Sequence, residues 1–438
     1  MKKIGKNFWI LLILAIILRI LLLIWVIPLP FASNGDLTRY EDWAQVAHIY
    51  ALGNTYSGQH TKTVPNNEPP GSLYIISGTY ETYIVAGKII ARFTHTSPGS
   101  ILWVNTFLLH FWMRIPCILA ELLLGVLAYF LVAKKINDKN ALFASSLIWF
   151  NPAIFYNGTL WGQMDSLNNL FFLLSLAFAF QKKYFFSILS YVISLYIKFS
   201  LLPFLPFYLV FLFFHSRKNF KTIIIGISIS VIALILATFP ISNNPFLWLM
   251  TNMPRLAQGE LQNITNAAFN FWWFVTCGPT CNYPPVIDVK FLWIRLNMWA
   301  YILFGIATIP GLYMISKSSK KLIEKEYVFL LFSLVAFAIF LFLPKMHDRY
   351  LYPVFPLFAI FIGLTKDKKT YFVMYIVLSL LHFINLLYSW IPTYFPFFWM
   401  YTVIYSRLFD WIISTGITTV AIVFFIKVYR FLFMYAKP

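Results

Sequence analysis

Long apolar runs recur from one end of this 438-residue chain to the other, and they constrain its fold more than any other feature. A run of this kind can cross a bilayer only if its backbone polar groups are paired within it, which a helix of about 20 residues achieves. The composition agrees, because 60% of the residues are hydrophobic, 11% are charged and the mean hydropathy is +0.73. The sequence therefore predicts an all-α polytopic membrane protein.

Hydropathy predicts about twelve membrane-spanning helices in one transmembrane domain that covers residues 1–438. The first apolar run follows three lysines and resembles a signal peptide, but it is too long and lacks a typical cleavage site. We therefore interpret it as an uncleaved span. The predicted spans are 8–27, 103–133, 140–157, 164–180, 184–197, 199–214, 221–239, 291–315, 327–343, 350–364, 371–388 and 408–427.

The distribution of lysine and arginine predicts the orientation. Of the 34 basic residues, 21 fall on one predicted side, counting Lys221 and Lys427 at the ends of their spans, 10 fall in the much longer segments on the other side, and Arg19, Arg114 and Arg295 lie within spans. Basic residues are enriched on the cytoplasmic side of membrane proteins. Both termini are therefore predicted to be cytoplasmic, and the net charge of +19 needs no nucleic-acid partner.

Two long segments are predicted to lie outside the cell membrane. The first, residues 28–102, is polar and rich in proline, and its part 72–92 carries Glu81 and Lys88, which predicts an interfacial helix rather than a span. The second, residues 240–290, contains tryptophans and asparagines typical of either a lid or acceptor platform or an aromatic belt. Cys277 and Cys281 lie in this second segment, where a small-loop disulfide is an open possibility, whereas Cys117 is expected in the core.

A polar hexapeptide, Trp-Gly-Gln-Met-Asp-Ser, occupies residues 161–166 between two apolar runs. It must lie where water or another polar group meets its amide and carboxylate, because an acid beside a bilayer is costly unless it is used. The structural alternative is a turn in which Asp165 and Ser166 cap the following helix.

Further polar groups lie near span ends on the same predicted side. They are Asp36 after Gly35, Lys198, and the segment Lys-Met-His-Asp-Arg-Tyr at 345–350. Each has a structural alternative: loop solvation for Asp36, the apex of a helical hairpin for Lys198, and helix capping or snorkelling for 347–349. Their coincidence with two long external segments favours one shared site, as a membrane enzyme would have.

The hexapeptide, the later segment Met-His-Asp-Arg-Tyr-Leu-Tyr-Pro at 346–353, and an acid in the first external segment resemble the GT-C membrane glycosyltransferases. Within that group the chain resembles bacterial relatives of the second GPI mannosyltransferase, although Asp348 stands where glutamate is as common in that family. The resemblance implies a GT-C-like fold and an inverting hexosyltransferase in the cell envelope. The expected donor is a polyprenyl-phosphate sugar, with mannose as the expected sugar, and the acceptor is a lipid, glycan or protein.

The chemistry of that family suits these residue types. Transfer to a hydroxyl needs a carboxylate to take the acceptor's proton, and the departing phosphate needs cationic donors. The resemblance implies that Asp36 is the base, on a flexible segment after Gly35, and that Asp165 holds sugar hydroxyls or orients the base. The expected substrate-binding residues are Trp161 as a face for the sugar ring, Gln163, Lys198 and Arg349 for the phosphate, His347 as a further donor, and Asp348.

The sequence contains neither a P-loop nor a dinucleotide-binding motif, which agrees with a lipid-borne donor. No cofactor is indicated, although Asp36, Asp165 and Asp348 leave a divalent metal open. The alternative function is a polytopic lipid or solute transporter or flippase. That class would place charges near the midplane on broken helices and would show inverted repeats, neither of which the sequence indicates.

Overall fold

A computed structural model of the chain describes residues 4–26, 35–97, 106–216, 219–259, 261–278, 284–317, 325–389, 403 and 406–435. These residues form a bundle of helices with two minimal β-sheets, so the prediction of an all-α fold is confirmed. Cys281 and the residues 28–34 and 98–102 of the first external segment lie outside the described residues.

The elements follow one another along the whole chain. The helices are α1 (Lys6–Val26), α2 (Gly35–Ile49), α3 (Asn54–Ser57), α4 (Pro70–Thr94), α5 (Thr106–Ala133), α6 (Asp138–Trp149), α7 (Pro152–Phe155), α8 (Asp165–Phe180), α9 (Tyr184–Ile197), α10 (Leu205–His215), α11 (Phe220–Thr238), α12 (Pro245–Gln258), α13 (Leu296–Lys317), α14 (Lys325–Phe342), α15 (Val354–Leu364), α16 (Lys368–Ser389) and α17 (Arg407–Tyr435). The strands are β1 (Thr265–Asn266), β2 (Lys290–Phe291), β3 (Ile294–Arg295) and β4 (Met346–His347).

Within the described residues, six helices are long and apolar enough to cross a membrane, namely α1, α5, α11, α13, α16 and α17. α8, α9, α14 and the stretch Phe199–His215 are shorter apolar helices. Large apolar side chains such as Leu21 on α1, Leu236 on α11 and Ile306 on α13 are exposed on the outside of the bundle. Water would not tolerate so much exposed apolar surface, whereas lipid does, and the chain is therefore a multi-pass membrane protein.

Two of the predicted spans are shorter in the structure than in the sequence prediction. The run predicted as 140–157 ends its first helix at Trp149, because Pro152 has no backbone N–H and the Asn151 side chain accepts from the backbone N–H groups of Ala153 and Ile154 instead. The run predicted as 350–364 becomes regular α-helix only at Val354, after a 3₁₀ turn over Asp348–Leu351.

The core lies around α14 and α15. Every residue of α15 is buried, and α15 packs on α14, α6, α5 and α16. A helix that is apolar on every side belongs inside a bundle rather than on its surface. The site described below is built on the two connections that enter α15 and α8.

The first long segment folds against the bundle. His48 Nδ1 lies 2.5 Å from Glu81 Oε1, and His110 Nε2 lies 3.0 Å from Glu41 Oε2, so α2 is bonded to both α4 and α5. α4, which covers the predicted interfacial helix, is not one of the six helices able to cross a membrane.

The second long segment joins the bundle through the parallel sheet of β1 and β4. Thr265 pairs with Met346 and Asn266 with His347. Asn270 Nδ2 donates to the Phe340 carbonyl over 2.8 Å, and the Trp272 indole donates to the Phe342 carbonyl over 2.7 Å. Those carbonyls lie in the last turn of α14, where no intrahelical donor remains, so this segment is fixed to the helix end. Cys277, further along, is disulfide-bonded, and Cys117 is free and buried.

The predicted cytoplasmic segments also meet one another. Lys135 lies 3.7 Å from Glu326, and the Lys368 ammonium donates to the Asn140 side chain. These two contacts bring three of the predicted cytoplasmic segments, 134–139, 316–326 and 365–370, close to one another.

A buried ion pair lies inside the bundle. Arg19 Nε donates to Glu121 Oε2 over 2.9 Å, and both side chains are almost fully buried. Arg19 also donates to the Trp149 carbonyl, and Thr159 donates to Glu121, so the pair connects α1 and α5 to the chain just before the hexapeptide. Arg114 is also buried and donates to the carbonyls of Leu160 and His110.

We predict that the contributions of Arg19 and Glu121 to stability depend on each other. Removing one partner leaves an uncompensated buried charge, which typically costs about 3–5 kcal/mol, whereas removing both often costs little. Glu121→Met should therefore lower the thermal unfolding temperature in detergent more than the double variant Arg19→Met/Glu121→Met. A double variant less stable than either single variant would contradict this interpretation.

Candidate active site

Asp36 lies in the first turn of α2, so the expectation that it sits on a flexible segment is wrong. Its Oδ2 accepts a 2.6 Å hydrogen bond from Gln163 Nε2 and lies 3.5 Å from Arg349 Nη1. Its Oδ1 lies 3.8 Å from Arg39. Burial raises the pKa of Asp36, but the charge of Arg349, the Gln163 hydrogen bond and the charge of Arg39 together hold that pKa below its usual value. Asp36 is therefore ionised and well paired.

An unusual backbone conformation before and within the hexapeptide brings Gln163 to Asp36. A short π-helix, Tyr156–Leu160, precedes the hexapeptide, and Gly162 then adopts a left-handed φ of 83°. A Cβ on Gly162 would lie 2.9 Å from Leu37 Cδ2. Glycine is therefore favoured by the left-handed backbone angle, and a larger residue would also have to displace the end of the Leu37 side chain. This turn places Gln163, which is fully buried, against the α2 carboxylate.

Asp165 forms a buried ion pair with Lys198. Lys198 Nζ donates to Asp165 Oδ1 over 2.8 Å, and the side chains are 6% and 3% exposed. Met164 occupies the cap position of α8, with no side-chain cap hydrogen bond, and the Ser166 hydroxyl donates to the Cys117 carbonyl. The interpretation of Asp165 and Ser166 as capping residues is therefore wrong. Lys198 ends α9 at the hairpin apex, as the structural alternative expected, but it is buried rather than solvated.

His347 and Arg349 are positioned by β4. Lys345, just before this strand, has a φ of 61°, and its backbone N–H donates to the Ile264 carbonyl. Burial, reinforced by the charges of Arg349 and Lys198, lowers the pKa of His347 to about 3. The imidazole is therefore neutral. Asn266 Nδ2 lies 3.1 Å from its Nδ1, an arrangement that leaves Nε2–H as the donor.

Arg349 lies at the centre of the group. Its guanidinium carbon is 5.7 Å from the centre of the Trp161 ring, while Nη1 faces Asp36. Its Nε is buried and has no hydrogen-bond partner among the described residues. The face of the Trp161 ring therefore contacts the Arg349 cation in this structure, whereas the sequence predicted that a sugar ring would bind to it. Lys198 lies 5.8 Å from the centre of the Tyr350 ring.

Asp348 stands apart from these ion pairs. It is buried, and its Oδ2 has no hydrogen-bond partner in the described part of the chain. Burial raises the pKa of Asp348 to about 6, although the Arg349 charge opposes this. Among the described residues, Asp36, Asp165 and Asp348 do not form a group that could hold a metal ion, and neither do any other three histidine, cysteine or acidic residues. Asp36 and Asp165 each face a cation instead.

The sequence did not predict four residues that lie beside the candidate site. Asn157 Nδ2 lies 3.5 Å from Asp165 Oδ2, and its position inside an apolar run was a signal that could have been used. Asn266 and Tyr350 lie in segments that had been singled out, but their contacts depend on tertiary pairing. Glu68 carried no signal, because an acid in a polar, proline-rich segment is ordinary. The charges of Lys198, Arg349, Asp165 and Asp36 all act on it.

The fold and the site together define a multi-pass membrane protein with a partly buried site of interleaved carboxylates and cations. No protein-family model matches the chain, and no curated protein does. Among solved structures, it is similar to the crystal structure of ArnT from Cupriavidus metallidurans bound to undecaprenyl phosphate. That similarity has a TM-score of 0.48 and 11% sequence identity, and covers 97% of this chain and 78% of that chain.

We predict that the backbone at Gly162 is needed for the site. Gly162→Ala should destabilise the protein by about 1 kcal/mol or more, because alanine resists the left-handed angle and its Cβ meets Leu37. The matched control is Gly78→Ala in the exposed middle of α4, where nothing lies within 4 Å and alanine should be neutral or stabilising. Thermal unfolding in detergent measures both, and equal effects would contradict the prediction.

Proposed function

We propose that this chain is a GT-C-like membrane glycosyltransferase that moves a sugar from a polyprenyl-phosphate donor to a hydroxyl acceptor. We further propose that the sugar is mannose, on the strength of the motif resemblance. One observation carries the proposal: two carboxylates, Asp36 and Asp165, each face a cation, Arg349 and Lys198, within one partly buried site. Glycosyl transfer from a lipid phosphate requires both signs of charge side by side.

The cations suit the phosphate. Arg349 has five N–H donors, of which Nη1 faces Asp36 and Nε is buried without a partner. A phosphate can take such donors in a bidentate fork. Lys198 has three donors and uses one for Asp165, which leaves two for phosphate oxygens. His347, which is neutral, adds a single N–H donor rather than a charge.

Asp36 is the proposed general base. In the free protein its pairing with Arg349 makes it a weak base. When a donor phosphate takes Arg349, Asp36 loses its partner and its pKa rises towards that of an ordinary carboxyl. The acceptor oxygen then attacks the anomeric carbon, the bond from that carbon to the phosphate oxygen breaks, and polyprenyl phosphate leaves with the electron pair. The acceptor's proton goes to Asp36, and the anomeric configuration is inverted.

Asp165 and Gln163 are the proposed sugar ligands. Asp165 is held by Lys198 and Asn157, which fixes the orientation of its carboxylate. Gln163 Nε2 donates to Asp36, while its buried Oε1 has no partner among the described residues. An unpaired buried carbonyl oxygen is costly, and a sugar hydroxyl or water would satisfy it.

The proposed site opens on the external face of the cell membrane. Support comes from the excess of lysine and arginine in the segments predicted to lie on the opposite side. Two contacts group those segments together at the end of the bundle away from the site, Lys135 with Glu326 and Lys368 with Asn140.

We predict that lysine cannot replace Arg349 in binding the donor. Arg349→Lys keeps the charge but loses the fork, so the affinity for polyprenyl-phosphate mannose should fall about 10-fold or more, and Arg349→Ala should reduce it further. Arg255→Ala, which removes an exposed arginine from α12, is the matched control. Donor affinity unchanged in both Arg349 variants would remove this residue from the phosphate site.

Asp36 and Asp165 should differ in kinetics. Asp36→Asn keeps size and most hydrogen bonding but cannot take a proton, so kcat should fall about 10²- to 10⁴-fold with little change in donor KM. Asp165→Asn should raise donor KM as well as lower kcat, because it removes a positioning contact. Steady-state assays with labelled polyprenyl-phosphate mannose measure both. Near-normal kcat in Asp36→Asn beside an inactive Asp165→Asn would reverse the assignment.

A further inference from the structure

A third carboxylate, Glu68, reaches the site from the first long segment. It precedes Pro69 and Pro70, which begin α4. Its backbone N–H donates to Asn66 Oδ1 over 2.8 Å, and its carbonyl accepts from the Tyr56 hydroxyl over 3.1 Å. These bonds and the fixed φ of the two prolines hold the backbone without using the Glu68 carboxylate.

The start of α4 packs closely against the end of α9, next to Lys198. A Cβ on Gly71 would lie 2.5 Å from the Tyr196 carbonyl oxygen and 3.0 Å from the Ile197 nitrogen. Only glycine permits such a close approach of two backbones. The Glu68 segment is therefore brought to the apex of the hairpin that carries Lys198.

Glu68 differs from the other two carboxylates in having no cationic partner. Asp36 and Asp165 each form an ion pair, whereas no hydrogen bond or ion pair is made by the Glu68 carboxylate within the part of the chain that the structure describes. The side chain is only partly buried. Burial raises the pKa of Glu68 above its usual value, although the charges of Lys198 and Arg349 oppose this. The Glu68 carboxylate therefore has free acceptor oxygens close to the charged residues of the site.

A carboxylate in this position has a restricted choice of ligand. It repels a phosphate and accepts hydrogen bonds, so its partner is a donor group. Hydroxyl groups are the donors that both substrates of the proposed reaction offer. The unpartnered buried Oε1 of Gln163 is a second free acceptor within the same site. Two free acceptors beside two paired cations fit a polyhydroxylated ligand.

We propose that Glu68 binds a hydroxyl group of a substrate in this site, on the donor sugar or on the acceptor. This assignment rests on the proposed glycosyltransferase function. It adds a substrate-binding residue that lies outside both motifs, and it leaves the base and the phosphate ligands as assigned above.

The test compares Glu68→Gln with wild type and with Glu81→Gln. Glu81→Gln removes the same charge, but Glu81 lies on α4, eleven residues beyond Pro70 and about 16 Å along the helix axis, and is exposed. Binding is measured first with polyprenyl phosphate alone. Glu68→Gln should bind this lipid as tightly as wild type or more tightly, because a repelling charge is gone. Weaker binding, as expected for Arg349→Ala, would overturn the proposal, since it would mean that Glu68 only builds the phosphate site.

Two further measurements identify the source of the hydroxyl. If it belongs to the sugar, Glu68→Gln should bind polyprenyl-phosphate mannose roughly 10- to 100-fold more weakly than wild type, the usual loss for a hydrogen bond to a charged group. If it belongs to the acceptor, donor binding should be unchanged and the KM for octyl mannoside, used as the acceptor probe, should rise by that factor.

The outcomes separate the two proposals. Wild type that binds both lipids and transfers sugar, with Glu68→Gln unchanged in every constant, overturns the assignment of Glu68 alone. Wild type that binds neither lipid overturns the glycosyltransferase function and this assignment with it. The Glu81→Gln control should match wild type in all measurements.

Discussion

A charge can be buried beside a bilayer only if an opposite charge or a full set of hydrogen bonds accompanies it, and this constraint organises the molecule. It operates twice. Arg19 and Glu121 satisfy it inside the bundle and connect α1 and α5 to the chain before the hexapeptide. Asp165 and Lys198 satisfy it at one end, where α8 begins and α9 ends. The first pair lies inside the bundle, whereas the second lies in the candidate site together with Asp36 and Arg349.

Bringing those groups together requires backbones to approach more closely than side chains usually allow. Gly71 lets the first long segment approach the backbone at the end of α9, and the left-handed turn at Gly162 directs Gln163 towards Asp36 on α2. The β1–β4 pairing then fixes the second long segment to the strand that carries His347. Three distant parts of the sequence are thereby held in one site by short backbone contacts rather than by a domain of their own. A transporter would instead be expected to place such charges near the midplane on interrupted helices.

The sequence indicated the class of protein and most residues of the candidate site because their signals are local along the chain. Apolar runs of sufficient length predict helices, and polar residues such as Asp165 and Arg349 between such runs are conspicuous. The sequence did not indicate the contacts that depend on the tertiary fold. Nothing along the chain reveals that Arg19 pairs with Glu121, or that Asn266 pairs with His347, because two-residue strands have no periodicity. Gly35 suggested a loop, yet α2 begins there and carries Asp36 in its first turn. Glu68 was overlooked because its surroundings in sequence are polar, while its surroundings in space are the site.

The central claim is that this site transfers a sugar from a lipid phosphate. The most direct test reconstitutes the purified protein in liposomes with polyprenyl phosphate that carries radiolabelled mannose, and in parallel labelled glucose, together with extracted membrane lipids as acceptors. We expect that the donor is consumed and that the mannose label appears on a new acceptor while unlabelled polyprenyl phosphate accumulates. Donor that stays chemically intact, or that only crosses from one leaflet to the other, would contradict it.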